Sequence, residues 1–437
     1  MSAALHSSAP ALQRWRSLAQ SRPAEDPRVQ AARGVALEKF LAQGFPTQRD
    51  EDWKYTNLRR LESRSFVVPE AAPFDTAAVE RYVRSTSGCC ALMFVNGRPA
   101  PALSSPPAGA LQVRTLGELL QNSPADAAQL LQCSNASSFD ALNAALAFDG
   151  AVIDVPADAR VETPVYVLHY TTSSPASMTT QPRTVIRAGR NSRVQVVEHY
   201  VGDEGSEYFT NAASRIELAE GAVVEHYRLQ EEGSRSFHIG ATQAVLRRDA
   251  QLVSYNFAIG ASLSQVALDV TLAEPGARAD LHGLFLVDGN RHLDMRTFVD
   301  HAAPRTVSTE DYRGIAADRG RGIFNGKVYV AKDAQKISAQ QSTRNLLLNA
   351  GCEIDAKPAL EIYADDVKCS HGATIGQLDA TALFYLRSRG ISEEEARSIL
   401  TIAFAESLLE RIPLKGLQEH LDARLREALK SHGRAAP

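Results

Sequence analysis

An internal repeat in the middle of the chain constrains the fold more than any other feature of the sequence. Each unit has two short runs of alternating apolar and polar residues, joined by a tight turn. The turns end in small residues spaced 30, 28 and 27 positions apart, namely Ser192, Ala222, Ala250 and Ala277. A matching turn at Ala334 follows 57 residues later, about two periods on. A regular period of this size is typical of stacked structural units.

Stacking explains how such short units become stable. A two-strand unit cannot bury its own apolar face, whereas a stack of units can. No helical pattern separates the strands, which argues against a parallel sheet with helical crossovers. The sequence therefore predicts a mainly β fold with a right-handed parallel β-helix (β-solenoid) core over residues 150–376. A β-sandwich is the less favoured alternative, because the repeat is regular and the strand signals persist over roughly 200 residues.

The two ends of the chain have helical periodicity instead. Residues 1–70 are predicted to form a helical N-terminal region, and residues 71–149 a mixed connecting region. Residues 377–437 are predicted to form a C-terminal helical domain, whose first short helix ends at Gly390 and whose second starts with a capping box at Ser392. Since a solenoid exposes unpaired backbone groups at both ends, helices or a partner must cover them.

Composition excludes several classes of protein. Apolar residues make up 44% of the chain, which fits a large core, and no apolar run approaches the length of a membrane span. The net charge is −4, so nothing indicates a nucleic-acid partner. Five cysteines, an odd number, argue against a disulfide scaffold and fit a reducing compartment. We therefore expect a cytoplasmic protein with neither nucleic acid nor membrane as a partner.

The first residues of the chain allow two interpretations. Residues 1–24 contain arginine, serine and alanine but no acidic residue, a composition also found in organelle transit peptides. A surface helix bounded by Pro10 and Pro23 is favoured, with Leu12 and Trp15 on its apolar face. The Ala- and Arg-rich composition indicates a bacterial source, and import into a plastid is the alternative.

The clearest candidate for chemistry lies within residues 351–376. Cys369 and His371 are two residues apart, so in an extended strand both side chains point to the same face. Thiolate and imidazole together suit iron, zinc or copper. Two ligands are too few for a closed metal site, so other residues or another subunit must complete it. A buried thiol and a histidine with only packing roles are the alternative.

Other motifs give little indication of catalysis. The chain has no Cys-x-x-Cys pair, no Gly-x-x-x-x-Gly-Lys-Ser phosphate loop and no Gly-x-Ser-x-Gly elbow. His199 and His226 each lie between Glu and Tyr, and we interpret them as equivalent, structural positions of the repeat. A polysaccharide-acting β-helix enzyme is disfavoured. The two acids of each adjacent pair, at 203–204 and at 365–366, would point to opposite sides of a sheet and could not act together as an acid and a base.

Four tracts in order resemble the SufB/SufD family of iron–sulfur cluster assembly proteins, on its SufD side. They are RDEDWKYT at residues 49–56, FVNGR at 94–98, KCSHGAT at 368–374 and FYLRSRGI at 384–391. The resemblance covers nearly the whole chain and implies a β-helix core with helical ends. The absence of a cysteine-rich N-terminal motif, which the SufB paralogue carries, favours the SufD side.

The resemblance also implies a role and partners. The chain is expected to be a non-catalytic scaffold subunit, not an enzyme, that pairs with a SufB-like paralogue, or with itself where that paralogue is absent. It would hold no cofactor alone, and would share a transient iron–sulfur cluster or iron at the interface through His371 and Cys369. A purely structural subunit without a metal ligand is the alternative.

A SufC-like ATPase is the third partner that the resemblance implies. Its binding surface in the family lies on the C-terminal helices. The corresponding positions of this chain are Leu383, Phe384, Tyr385, Leu386, Arg387, Arg389, Gly390, Ile399 and Phe404.

Overall fold

The structure, a computed structural model, describes residues 9–69, 79, 82, 88–105, 111–132 and 137–430. The first sheet has ten strands. In spatial order they are β2 (Arg98–Pro99), β1 (Cys90–Val95), β5 (Val165–Thr171), β8 (Arg193–Gly202), β10 (Val223–Glu231), β12 (Gln251–Ala258), β14 (Arg278–Val287), β16 (Val307–Ala316), β18 (Ile337–Leu347) and β20 (Val367–Gly376).

The second sheet also has ten strands and runs beside the first. Nine follow each other in space, and a short tenth strand, β6 (Met178–Thr180), pairs with β9. The nine are β19 (Glu353–Ile362), β17 (Arg321–Val330), β15 (His292–His301), β13 (Leu263–Leu272), β11 (Phe237–Leu246), β9 (Tyr208–Leu218), β7 (Arg183–Ala188), β4 (Ala151–Val155) and β3 (Gln112–Thr115).

The helices come from the two ends of the chain, before β4 and after β20, and pack on this pair of sheets. They are α1 (Ala9–Gln20), α2 (Pro27–Gln43), α3 (Arg59–Glu62), α4 (Leu116–Asn122), α5 (Pro124–Leu130), α6 (Ser138–Leu146), α7 (Ala380–Ser388), α8 (Glu393–Leu409) and α9 (Lys415–Lys430), with 3₁₀ turns at Glu51–Trp53 and Pro101–Leu103. Among the residues described, no helix is long and apolar enough to cross a bilayer.

The predicted β-solenoid is confirmed, with about eight turns. From β7 to β20 the chain alternates between the sheets, and each of these strands pairs in parallel with the strand one coil away. Val223 of β10, for example, pairs with Arg193 of β8 and with Gln251 of β12. Four of the predicted small residues, Ser192, Ala222, Ala250 and Ala277, lie buried at the corners, each after a residue with positive φ. Asn191, Gly221, Asp249 and Gly276 supply that left-handed conformation, which glycine, asparagine and aspartate tolerate best.

The lumen between the sheets is the main core. Strand alternation points every second residue inward, and the parallel register stacks those residues into columns. One column consists of Val194, Val224, Leu252 and Ala279, all fully buried. Each buried Val or Leu side chain contributes about 1.5–3 kcal/mol through removal from water, so the stack itself supplies most of the apolar stabilisation.

The N-terminal helices cover the second sheet. Trp15 of α1, Phe40 of α2 and Phe209 of β9 belong to one buried aromatic cluster. The tract at residues 49–56 docks beside it, since the Trp53 ring lies 5.4 Å from the Phe139 ring and carries the Arg296 guanidinium 4.9 Å above it. The helix predicted between Pro10 and Pro23 is α1; residues 1–8 lie outside the described part.

The C-terminal helices cover the outer face of the first sheet. The predicted stripe of α9 is buried against it, at Leu417, Leu421, Leu425 and Leu429. The hydroxyl of Ser392 accepts the N–H of Glu395, so one half of the expected capping box is present. Only that half is found in the hydrogen bonds of the described residues.

Four anchors fix α8 and α9 along the stack of coils. Arg397 donates to the carbonyl after β18, and Arg313 of β16 donates to the carbonyl of Phe404. Tyr255 of β12 donates to the carbonyl after α8 at 3.0 Å. Glu231 of β10 accepts from His420 and Arg424 of α9. The helices therefore run back along the solenoid, with one anchor on each of four coils.

The two ends of the solenoid differ. At one end, antiparallel β2 and β3 pair with β1 and β4 and terminate the sheets. At the other end, no described strand pairs with the outer edges of β19 and β20, and most residues of β20 are exposed. This second end is called the open end below.

Candidate functional site

Cys369 and His371 lie on β20, the last strand of the open end. In the register with β18, Cys369 is opposite Ala339 and His371 is opposite Gln341, and both of those residues are buried in the lumen. Cys369 packs partly against the lumen core, whereas His371 is exposed because no described coil lies above it. The structure thus brings the predicted pair to one face, at the mouth of the lumen.

A polar column leads from the lumen to His371. Glu310, Gln341 and His371 occupy aligned positions on β16, β18 and β20. Gln341 donates to Glu310 at 3.0 Å, and the hydroxyl of Thr297 donates to the other carboxyl oxygen at 2.5 Å. Burial raises the pKa of Glu310 to about 7, against these two hydrogen bonds. The carbonyl oxygen of the Gln341 side chain is buried and finds no partner in the described part of the chain.

The thiol at the mouth of the lumen is not activated within this chain. Burial raises the pKa of Cys369, and a backbone hydrogen bond from Ala339 opposes that effect only in part. A protonated thiol binds metal weakly, so a bound cation or a partner's charge must favour the thiolate. Neither Cys369 nor His371 belongs to a group of three potential ligands among the described residues. Within the described residues the pair therefore offers only two donor side chains, too few to enclose a metal ion.

The predicted ATPase-binding residues lie on the helices that follow β20, and most of them are on α7. No residue of α7 is buried, and Phe384 and Tyr385 are 73% and 57% exposed. The other α7 positions are exposed or half-buried, and Gly390 ends the helix with φ +88. Ile399 of α8 is 40% exposed. Phe404 differs, because it is half-buried against the first sheet with the Arg313 guanidinium 5.6 Å from its ring.

A third cluster, His199–Glu231–His420, was missed from sequence. His420 of α9 lies 2.8 Å from the Glu231 carboxylate, and His199 of β8 lies 3.6 Å from the same oxygen. Arg424 donates to the other oxygen of Glu231 at 3.0 Å. Burial alone would raise the pKa of Glu231, but the two histidines hold it well below its usual range. This cluster joins α9 to the solenoid.

The expected equivalence of His199 and His226 is wrong. In the register of β8 and β10, His226 is opposite Val196, while His199 is opposite Leu229. His226 consequently faces the lumen, where it contacts Glu198 at 2.8 Å, and His199 faces outward under the C-terminal helices. The two Glu-His-Tyr tripeptides are 27 residues apart, whereas paired residues of β8 and β10 are 30 residues apart. The tripeptides are therefore offset by three positions, and an odd offset puts their side chains on opposite faces. Strand alternation in β8 is the signal that could have placed His199 outside.

Comparisons with known proteins agree with these features. The family model of the SufBD core domain of SUF-system FeS cluster assembly matches residues 169–404, and that of the SufBD N-terminal region matches residues 19–167. The iron-sulfur cluster assembly protein SufD of Escherichia coli is 32% identical over 436 residues, covering 99% of this chain and 100% of that protein.

Two other relatives extend the comparison. A SufBD family protein of Synechocystis is 33% identical over 389 residues, or 86% of either chain. The SufB protein of Bacillus subtilis is 27% identical over 283 residues, covering 64% of this chain and 60% of that protein. With both family models matched in order along a β-solenoid, this chain belongs to the SufB/SufD family of iron–sulfur cluster assembly proteins.

Proposed function

We propose that this chain is the SufD-type, non-catalytic scaffold subunit of an iron–sulfur cluster assembly complex. It pairs with a SufB-like paralogue through the open end, binds a SufC-like ATPase through α7, and shares a nascent cluster or iron with the paralogue. The observation that carries the proposal is the bare last coil, which presents Cys369 and His371 at the mouth of the lumen. The cluster is cargo of the complex.

The outer edges of β19 and β20 support pairing through the open end. An unpaired edge offers backbone donors and acceptors to another strand. Large apolar side chains are exposed there as well, including Tyr363 at 59% and Ile375 at 47%. A second solenoid that continued both sheets would pair these edges and cover these side chains. Where the paralogue is absent, a second copy of this chain would meet the same requirement as a homodimer.

The ligand set supports a site completed in trans. Cys369 and His371 share the inner face of β20, and a thiolate with an imidazole matches the soft-ligand preference of iron in clusters. Neither has enough companions among the described residues to enclose an ion. A partner that adds ligands and positive charge would lower the thiol pKa and close the site together.

The surface of α7 supports docking of the ATPase. Its exposed aromatic residues and Arg387 and Arg389 are of the types that dominate interface energetics. Arg389 lies 5.2 Å from the Tyr385 ring, which keeps part of this surface ordered before binding. α7 contacts α8, but none of its residues is buried by the described part of the chain, so a partner can reach it directly.

The compartment proposed for this assembly is the bacterial cytoplasm. Four free cysteines in the described residues fit a reducing environment. A chloroplastic protein of Arabidopsis thaliana, 31% identical over 288 residues, gives the plastid alternative a concrete relative.

The cluster-sharing proposal is tested by co-purifying the complex anaerobically and measuring its iron and sulfide. We expect His371→Ala to leave the complex intact and to remove most of the iron and sulfide, because one ligand of the shared site is lost. Ser370→Ala is the matched control, since its side chain is on the opposite face of the same strand. Full iron and sulfide in the His371→Ala complex would favour a purely structural subunit.

The ATPase-docking proposal is tested with the double variant Phe384→Ala/Tyr385→Ala. Loss of two aromatic anchors is expected to weaken ATPase binding by about 30-fold or more. Tyr363→Ala removes an equally exposed aromatic ring at the open end and should leave ATPase affinity unchanged. Unchanged ATPase affinity in the double variant, measured by calorimetry, would contradict the assignment of α7 as the ATPase-binding surface.

A further inference from the structure

We propose that His199, Glu231 and His420 form a second metal site, specific for a divalent transition ion of the zinc type, between the solenoid and α9. One ligand atom from each residue lies within 4.8 Å of the other two. Two imidazoles with one carboxylate are a three-ligand set that binds Zn²⁺ and leaves a fourth position open. The site is separate from the open end and does not depend on the proposed function.

Two of the three distances between donor atoms are close to those of a zinc site, and the third, between the two imidazoles, is at most 4.8 Å. Zinc bonds of about 2.0–2.1 Å place neighbouring donors about 3.3–3.4 Å apart in a tetrahedron. Here the Glu231 oxygen lies 3.6 Å from His199 and 2.8 Å from His420. His420 must move back by about half an ångström. Its side chain is 20% exposed on α9 and has room to do so.

His199 is already oriented as a ligand. Its Nδ1 is 2.6 Å from the hydroxyl of Tyr166, and the Tyr82 ring packs edge-on against the imidazole. Ligand histidines commonly use the second ring nitrogen in this way, which fixes the ring. The fully buried Nε2 points into the cluster and has no hydrogen-bond partner among the described residues. A bound cation would satisfy that nitrogen.

The carboxylate is held so that one oxygen stays available. Arg424 binds the other oxygen of Glu231 and sets the plane of the group. Arg424 is the nearest cation, and its charge opposes metal binding in part. In the metal-free protein His420 and Glu231 share a hydrogen bond, so metal binding releases the proton of that bond when His420 is charged.

An opening leads to the cluster from outside. A cavity of about 200 Å³ is lined by Cys89, Tyr166, Lys415 and His420, among others. It borders the exposed side of His420, where the fourth position of a tetrahedral ion would lie. A water molecule or hydroxide could reach that position, which would balance part of the added charge. The Cys89 thiol is not among the ligand atoms of this cluster that lie within 4.8 Å of one another.

The experiment uses the full chain stripped with chelator and titrated with Zn²⁺ by calorimetry. We expect one equivalent of tightly bound Zn²⁺, and at least a hundredfold loss of affinity in His420→Gln, whose ligand lies on the half-exposed helix. Glu419→Gln, at an exposed position next to His420 on α9, is the matched control and should bind Zn²⁺ as the wild type does. Tyr166→Phe keeps all three ligands and should weaken binding by about tenfold, the usual scale for an orienting partner.

Two further readouts separate this site from misfolding and from the cysteines. Co²⁺ in the wild type should give the visible spectrum of a four-coordinate nitrogen and oxygen site, without the thiolate charge-transfer band that Cys369 would add. Circular dichroism should show that His420→Gln is folded. Absence of stoichiometric Zn²⁺ binding, or equal binding by wild type and His420→Gln, would overturn the proposal. Tighter binding of Fe²⁺ than Zn²⁺ under argon would overturn the assignment to a zinc-type ion.

Discussion

Two buried glutamates in the same solenoid have opposite surroundings. Glu310 faces the lumen below the open end and accepts hydrogen bonds only from the neutral side chains of Thr297 and Gln341. Glu231 faces outward under α9 and contacts two histidines and an arginine. The pKa of Glu310 is raised by burial to about 7, whereas the two histidines hold that of Glu231 well below normal.

The difference shows that buried carboxyl groups are compensated differently under α9 and in the lumen below the open end. Under α9 the interface is complete, so a buried charge is compensated within the chain. At the open end the lumen carries a carboxyl group without a cation, aligned below His371. The contact under α9 is therefore complete within the chain, whereas the column below the open end holds a buried carboxyl group whose described partners are neutral.

The largest expected effect on stability comes from the apolar contact between α9 and the first sheet. Leu425→Ala should lower the free energy of unfolding by about 2–5 kcal/mol, because this fully buried side chain leaves a cavity between α9 and the first sheet. Ile375→Ala at the open end is the matched control, and its effect should stay within about 0.5 kcal/mol. Urea denaturation of both variants measures the contrast, and equal losses would contradict it.

The same substitution at the two glutamates should have opposite signs at pH 8. The folded pKa of Glu310 lies above its unfolded value of about 4.3, so its stability contribution is full below that pH and is lost as the pH rises through about 7. Glu310→Gln should therefore raise the free energy of unfolding at pH 8 by about 3 kcal/mol and change little at pH 4.

For Glu231 the sign is reversed, because its folded pKa is depressed. Its contribution is present above pH of about 4.3 and is lost as the pH falls, so Glu231→Gln should destabilise the protein at pH 8 by about 1–3 kcal/mol. Urea titrations in chelator at pH 4, 6 and 8 follow both variants. A destabilised Glu310→Gln at pH 8 would mean that its carboxylate is charged and compensated after all.

The smallest expected effect on stability is at α7. Arg387 lies 3.4 Å from Glu393, and both side chains are more than half exposed. Because solvent screens such a pair, Arg387→Ala should change the free energy of unfolding by less than about 0.5 kcal/mol. The same variant should weaken ATPase binding if α7 is the docking surface. A large loss of stability, seen in thermal melts, would assign Arg387 to the fold instead.

The solenoid and its helical ends could be predicted because they depend on local patterns. Turn residues recur at each coil, as at Asn191 and Gly221, and the α9 stripe repeats every four residues. The pair at 369 and 371 could be placed on one face for the same reason. The cluster of His199, Glu231 and His420 could not be predicted, since His420 is 221 residues from His199 and only the packing of α9 brings them together. Register was also hidden, because coil length varies and a repeated tripeptide does not fix it.

The anchors of α8 and α9 along the stack have a thermodynamic consequence. In an ordinary solenoid each coil contacts only its neighbours, so opening can spread from one coil to the next in small steps. Here one helical pair is fastened to β18, β16, β12 and β10, and releasing any of these coils disturbs the contacts of the others. The coils between the first and last anchor therefore share one cooperative opening event. At the open end β20 lies beyond the last anchor and retains the independence of a terminal repeat, and this is the strand that carries Cys369 and His371.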